Sequence, residues 1–133
     1  MEKPRLDHIG IAVKSIEAAT IYEALGLTVD HLETVETQGV KTAFLSVGDS
    51  HLELLEPLTP ESPIGRFIDK HGEGIHHICL RVRGLDGHLQ RLKKLGFRLI
   101  NETPVPGAHG CRVAFLHPAG ASGVLIELSE ALE

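Results

Sequence analysis

The chain has 133 residues, 42% of them apolar, with 18 acidic and 13 basic side chains and a net charge of -5. That length predicts one domain that can bury a proper core without staples. The acidic balance excludes the basic footprint of a non-specific nucleic-acid binder, and no apolar run approaches the ~20 residues of a membrane span.

The first predicted element is a strand, His8 to Val13, whose apolar residues alternate with a period of two. Ser15 is the expected N-cap and Gly26 the expected C′ residue of a helix through Ala18, Ile21, Tyr22 and Leu25. Three strands follow, Leu27–His31, Val40–Val47 and His51–Glu56, the last two joined by a tight Gly48-Asp49 hairpin. A linker with Pro57, Pro60 and Pro63 carries a short helix that starts at Ser62-Pro63 and presents Ile64, Phe67 and Ile68. The layout then repeats. A strand from His77 to Val82 precedes a helix with Leu85, Leu89 and Leu92 at helical spacing, ending at Gly96. Strands are expected at Arg98–Ile100, Arg112–His117 and Gly123–Leu128. Each half therefore reads β-α-β-β-β, a repeat clear in layout and weak in letters: Leu6-Asp7-His8-Ile9 resembles Ile75-His76-His77-Ile78, and Leu52-Glu53-Leu54 resembles Ile126-Glu127-Leu128. The expected architecture is α+β. Two βαβββ modules, about 5–57 and 74–130, form a curved mixed sheet around a metal-binding groove within a single 1–133 domain.

Strand parity places the chemistry. Ile9, Ile11 and Val13 share one face of the first strand, and Val124, Ile126 and Leu128 share one face of the last. His8, Glu53, His77 and Glu127 all fall on the face opposite the aliphatic rows. A lone strand histidine is usually structural and a lone strand glutamate usually faces solvent. The matched His…Glu order in both halves favours function instead, because a carboxylate inside an aliphatic strand needs a partner. Two imidazoles and two carboxylates suit a divalent ion with positions left open for substrate. Among the other histidines, His76 has the wrong parity, and His31, His71 and His88 fall in polar surroundings. His51 shares the face of Glu53 but begins its strand, and His109 and His117 flank a Pro/Gly-rich loop, Thr103–Gly110, that reads equally as a lid or an ordinary turn. Cys79 lines the core. With only Cys79 and Cys111, and with no apolar stretch in Met1-Glu2-Lys3-Pro4-Arg5, a cytoplasmic, reduced protein is expected.

These modules and the His…Glu…His…Glu set resemble the glyoxalase, or vicinal-oxygen-chelate, superfamily, and within it the methylmalonyl-CoA epimerase family. The resemblance is carried by Asp7-His8-Ile9-Gly10-Ile11-Ala12-Val13, Glu53-Leu54-Leu55-Glu56-Pro57-Leu58, Gly72-Glu73-Gly74-Ile75-His76-His77-Ile78, Gly107-Ala108-His109-Gly110, Val113–Pro118 and Gly123–Leu128. It implies metal ligation by His8, Glu53, His77 and Glu127. Cobalt is the ion most associated with the family, with Mn, Ni, Mg and Zn as alternatives. It also implies a homodimer, an acyl-CoA substrate, and epimerisation at C2 through an enolate, with Glu127 and Glu53 as the bases. Three positions depart from the family pattern: Glu53 stands where many members carry Gln, Thr42 where some carry a catalytic Glu, and Ala119 where Lys is frequent. A two-residue turn at Gly48-Asp49 would place Thr42 and Glu53 on one face as diagonal neighbours. Arg66, Lys70, Arg83, Lys93, Lys94 and Arg112 are available to CoA phosphates. The competing readings are a glutathione-linked glyoxalase I with the same ligand types, a dioxygenase, which generally uses one carboxylate fewer, and a non-catalytic binding relative, which needs no metal ligands.

Overall fold

The computed structural model describes residues 2–132; Met1 and Glu133, the ends of the expected domain, lie outside the described residues. The chain divides into two compact units, residues 8–76 and residues 77–132 with 2–7. Its class is α+β, and no helix among the described residues is long and apolar enough to cross a membrane.

In the first unit, the His8–Ala12 part of β1 (Arg5–Ala12) pairs in parallel with β4 (Ser50–Pro57), and β4 pairs antiparallel with β3 (Val40–Val47), which pairs antiparallel with β2 (Val29–Val35). The hairpin register is the one the Gly48-Asp49 turn dictates: Val47 faces Ser50, Phe44 faces Glu53 and Thr42 faces Leu55. A 3₁₀ turn at Ile16–Ala18 leads into α1 (Ala19–Ala24). Ser15 Oγ accepts from Glu17 N–H at 3.2 Å, as expected of the cap, and Gly26 closes the helix at φ 97°. The inward stripe differs from the expected one. Ile16, Ala18, Ala19 and Tyr22 pack on Val13, Ala43, Leu45 and Leu54, whereas Ile21 and Leu25 are 64% and 74% exposed. The 3₁₀ entry rotates the apolar stripe relative to a continuous α-helix. On the other face of β3 and β4, α2 (Pro63–His71) seats Ile64, Phe67 and Ile68 against Ala12, Val40 and Leu55. Its Ser62 cap accepts from Gly65 N–H, with Pro63 in the first turn.

The second unit repeats this order. β5 (Gly74–Arg81) pairs in parallel with β8 (Ile126–Ala131), which pairs antiparallel with β7 (Cys111–Leu116), itself antiparallel to β6 (Val105–Pro106). Helix α3 (Leu85–Lys94) buries Leu85 and Leu89, with Leu92 beside them, on Val82, Ala114 and Leu128. The expected strand at Arg98–Ile100 is absent as a strand. Leu99 makes one isolated bridge to Leu116, and Asn101 Oδ1 takes the Phe115 N–H at 2.8 Å, so a side chain fills a ladder position. The edge strand is instead Val105–Pro106, where Pro106 donates no N–H. Gly107 N–H also bonds Cys111 O at 2.9 Å, so the Pro/Gly-rich loop is anchored to β7. The last strand begins three residues later than expected. Ser122 lies in the left-handed region at φ 57° and Val124 N–H closes a turn onto Ala121 O, leaving Val124 outside the sheet.

The 3₁₀ turn that leads into α1 and the start of α3 each use a carboxylate from a neighbouring strand. Glu56 Oε1 accepts from Ile16 N–H at 2.8 Å in the first unit. In the second, Glu130 accepts from Gly84 N–H at 2.6 Å and Leu85 N–H at 3.2 Å. Negative charge at a helix start satisfies orphan donors and complements the dipole. Arg112, bonded to Glu130 at 2.6 Å and Asp86 at 3.2 Å, holds the Glu130 carboxyl below the ordinary glutamate range; the two backbone donors help and burial opposes them. A depressed carboxylate contributes stability above its unfolded pKa, about 4.3, and loses it as pH falls through the lower folded value. Glu130→Gln should therefore destabilise the protein at pH 7 by about 1 kcal/mol. In thermal melts the gap to wild type should narrow toward pH 3; a gap of constant size would contradict this role.

Candidate metal centre

Each unit buries one imidazole–carboxylate pair, and the two pairs occupy equivalent places in the repeated fold. In the first, Glu53 lies on the central strand β4, opposite Gly10 of β1 and Phe44 of β3. In the second, Glu127 lies on β8, opposite Cys79 of β5 and Phe115 of β7. The histidine stands two residues before the strand partner in both cases, His8 before Gly10 and His77 before Cys79. Period-two geometry therefore turns histidine and glutamate to the same side of their parallel strand pair.

The distances follow from that register. His8 Nδ1 lies 2.9 Å from Glu53 Oε2, and His77 Nε2 lies 3.0 Å from Glu127 Oε1. All four residues are buried, none more than 9% exposed. Buried carboxylates require such partners, because an ion taken out of water without one costs several kcal/mol. The spacing also suits a metal: two ligands at right angles, each about 2.1 Å from an ion, stand about 3.0 Å apart. Nitrogen and carboxylate oxygen together fit a divalent transition ion, and the absence of thiolate from these pairs points away from a structural zinc site.

His51 is more closely tied to this chemistry than its place at the start of β4 suggested. It is registered beside His8 across the β1–β4 ladder, and its Nε2 lies 2.8 Å from the same Glu53 Oε2. The ligand atoms of His8, His51 and Glu53 all lie within 4.8 Å of one another. The His8 and His51 rings have centroids 5.0 Å apart, and Phe44 lies 5.6 Å beyond His51. Phe115 plays the matching part in the second unit, edge-on to His77 at 5.9 Å. Neither phenylalanine was singled out from sequence; the signal was their position opposite each glutamate. Thr42 is buried in β3 opposite Leu55, on the face of Glu53.

The remaining candidates have structural surroundings. His76 and His71 pack on Phe67, with ring centroids 4.9 Å away in each case. His117 Nδ1 accepts from Ala119 N–H at 3.0 Å and caps a 3₁₀ turn. His109 is exposed and adopts φ 57°. Cys79 is fully buried, as its core-lining role requires. Of the basic residues, Arg83 pairs with Glu2, Lys93 with Glu102, and Arg112 with Asp86 and Glu130. Arg66 and Lys70 join Lys14, Pro57, Leu58 and Ile68 around a groove of about 880 Å³ in the first unit.

Residues 7–115 match the family model of the glyoxalase/bleomycin resistance protein/dioxygenase superfamily. The uncharacterized protein YqjC of Bacillus subtilis is 48% identical over 95% of this chain and 91% of its own length. The human mitochondrial methylmalonyl-CoA epimerase is 41% identical over 96% of this chain and 74% of its own length. A solved methylmalonyl-CoA epimerase in complex with methylmalonyl-CoA and NH4+ superposes with a TM-score of 0.89 at 38% identity, covering 98% of this chain and 96% of that one.

Proposed function

We propose that this chain, which belongs to the methylmalonyl-CoA epimerase family of the glyoxalase superfamily, interconverts (R)- and (S)-methylmalonyl-CoA by moving the proton at C2. The observation that carries the reading is the duplicated buried pair, His8–Glu53 and His77–Glu127, in one register in both halves. The halves act together as a single domain, and the two pairs supply the ligands of one divalent cation, proposed to be cobalt. Such an ion, when bound, supplies Lewis acidity to the oxygens on which charge develops.

The protein groups do the rest. The C2–H bond lies between a thioester carbonyl and a carboxylate, so its electron pair can delocalise once the proton leaves. Glu127 takes that proton. Glu53, ionised at rest, takes up a proton from solvent once substrate is bound and returns it to the opposite face of C2, while Glu127 releases its own to solvent, which resets both groups. Inversion needs this division between two groups, because a single base would return the proton to the side it came from. The burial of all four groups keeps bulk water from competing. Thr42 supplies no carboxylate on the neighbouring strand, so the acid on this face is Glu53. The same family reading makes the protein a homodimer; a reduced, cytoplasmic setting rests instead on Cys79 and Cys111, which form no disulfide.

The test is incubation with methylmalonyl-CoA in heavy water. Metal-dependent deuterium uptake at C2 is the expected result. Absence of uptake, with turnover of a glutathione hemithioacetal instead, would replace the assignment with a glyoxalase I.

A further inference from the structure

Glu53 Oε2 is contacted by two imidazoles, His8 Nδ1 at 2.9 Å and His51 Nε2 at 2.8 Å. An ionised carboxylate only accepts hydrogen bonds, so each contact uses a ring N–H. The two histidines are not equivalent. The 2.9 Å spacing makes Nδ1 the atom that His8 offers to the cation; a nitrogen that binds a cation must present its lone pair, so that contact cannot remain an N–H donation once Nδ1 is a ligand. The His51 contact can. His51 also sits on the outer side of the pair, with 23% of its side chain exposed against 7% for His8 and 9% for Glu53. Phe44 and the His8 ring flank it. Were His51 a ligand too, five protein groups would leave one position on a six-coordinate ion, and the two-oxygen substrate proposed above needs two.

We infer that His51 is the positioning residue of Glu53: its Nε2–H fixes the carboxylate in the orientation that holds the cation, and so sets metal affinity without touching the ion. This rests on the metal centre proposed above. Partners of ligating groups act this way elsewhere, and their removal typically weakens metal binding 10–100-fold.

The probe is Co²⁺ alone, titrated into the full chain against a competing chelator, with the visible d–d bands recorded at saturation. His51→Ala should bind Co²⁺ about 10–100-fold more weakly than wild type, with unchanged bands once saturated. His51→Gln, whose amide N–H can still reach the carboxylate, should recover most of the affinity. Two outcomes overturn the inference: wild-type affinity in His51→Ala, or bands altered in both variants, which would make His51 a direct ligand. Wild-type protein that binds no Co²⁺, or His8→Ala that binds it as well as wild type, would remove the metal centre itself and His51's role with it.

Discussion

Glu127→Gln is expected to slow epimerisation of methylmalonyl-CoA by about 10²–10⁴-fold in both directions, the range that one positioned acid–base group supplies. The substitution keeps the shape of the side chain and leaves an amide oxygen where the carboxylate oxygen stood, 3.0 Å from His77 Nε2 in the native pair. What it removes is the capacity to carry a proton. Direction matters in the readout. A two-base inversion uses Glu127 to deprotonate one enantiomer and to reprotonate the enolate formed from the other. The variant should therefore still take up deuterium from the enantiomer whose proton faces Glu53, while losing uptake from its mirror partner. Glu53→Gln should show the reverse pattern. Measuring both enantiomers in heavy water, with bound metal quantified in each variant, separates loss of the base from loss of the ion. Undiminished epimerisation by metal-loaded Glu127→Gln would take Glu127 out of the chemistry.

The second large effect concerns the support beneath the site. A Cβ added at Gly65 would lie 2.5 Å from Pro60 O and 2.6 Å from Thr59 O. These are backbone atoms, so no rotamer change can relieve the clash. Gly65 sits in α2 beside Ile64, which packs on Ala12, Val40 and Leu55, and Leu55 is two residues along β4 from Glu53. Gly65→Ala gains about 1 kcal/mol of helix propensity, but the forced displacement should outweigh it, for a net loss of about 1–3 kcal/mol. The melting temperature should fall by roughly 5–10 °C. Gly87 provides the internal contrast. It lies inside α3, and its added Cβ would meet nothing within 4 Å. Gly87→Ala should raise stability by about 0.5–1 kcal/mol. A stabilising Gly65→Ala would mean that α2 does not rest on the Thr59–Pro60 backbone.

What could be read from sequence, and what could not, divides by range. The Gly48-Asp49 turn fixes the β3–β4 register residue by residue, because a two-residue hairpin leaves no freedom to slip. That register alone puts Thr42 and Glu53 on one face. The duplicated His-Ile and Leu-Glu-Leu or Ile-Glu-Leu segments likewise locate His8, Glu53, His77 and Glu127 among the buried polar residues. The helix caps were legible only where they are local: Ser15 and Ser62 announce themselves, whereas Glu56 and Glu130 reach helix starts 40 and 46 residues away. A repeat was there to find, since each capping glutamate follows its buried glutamate by three residues, in Glu53-Leu54-Leu55-Glu56 and Glu127-Leu128-Ser129-Glu130. The failed strand at Arg98–Ile100 has a similar cause. Alternation suggested a ladder, but the Asn101 side chain claims Phe115 N–H. The role of His51 is not legible locally, because its place beside His8 is set by pairing across β1 and β4, not by its own neighbours.

Whether both imidazole–carboxylate pairs serve one cation is decided by metal stoichiometry. The protein would be loaded with Co²⁺, freed of excess, and analysed for cobalt per chain in wild type, His8→Ala and His77→Ala. One ion per chain, with retention lost in either single variant, is the predicted result. Two ions per chain, or a variant in one half that leaves a full ion bound, would contradict it.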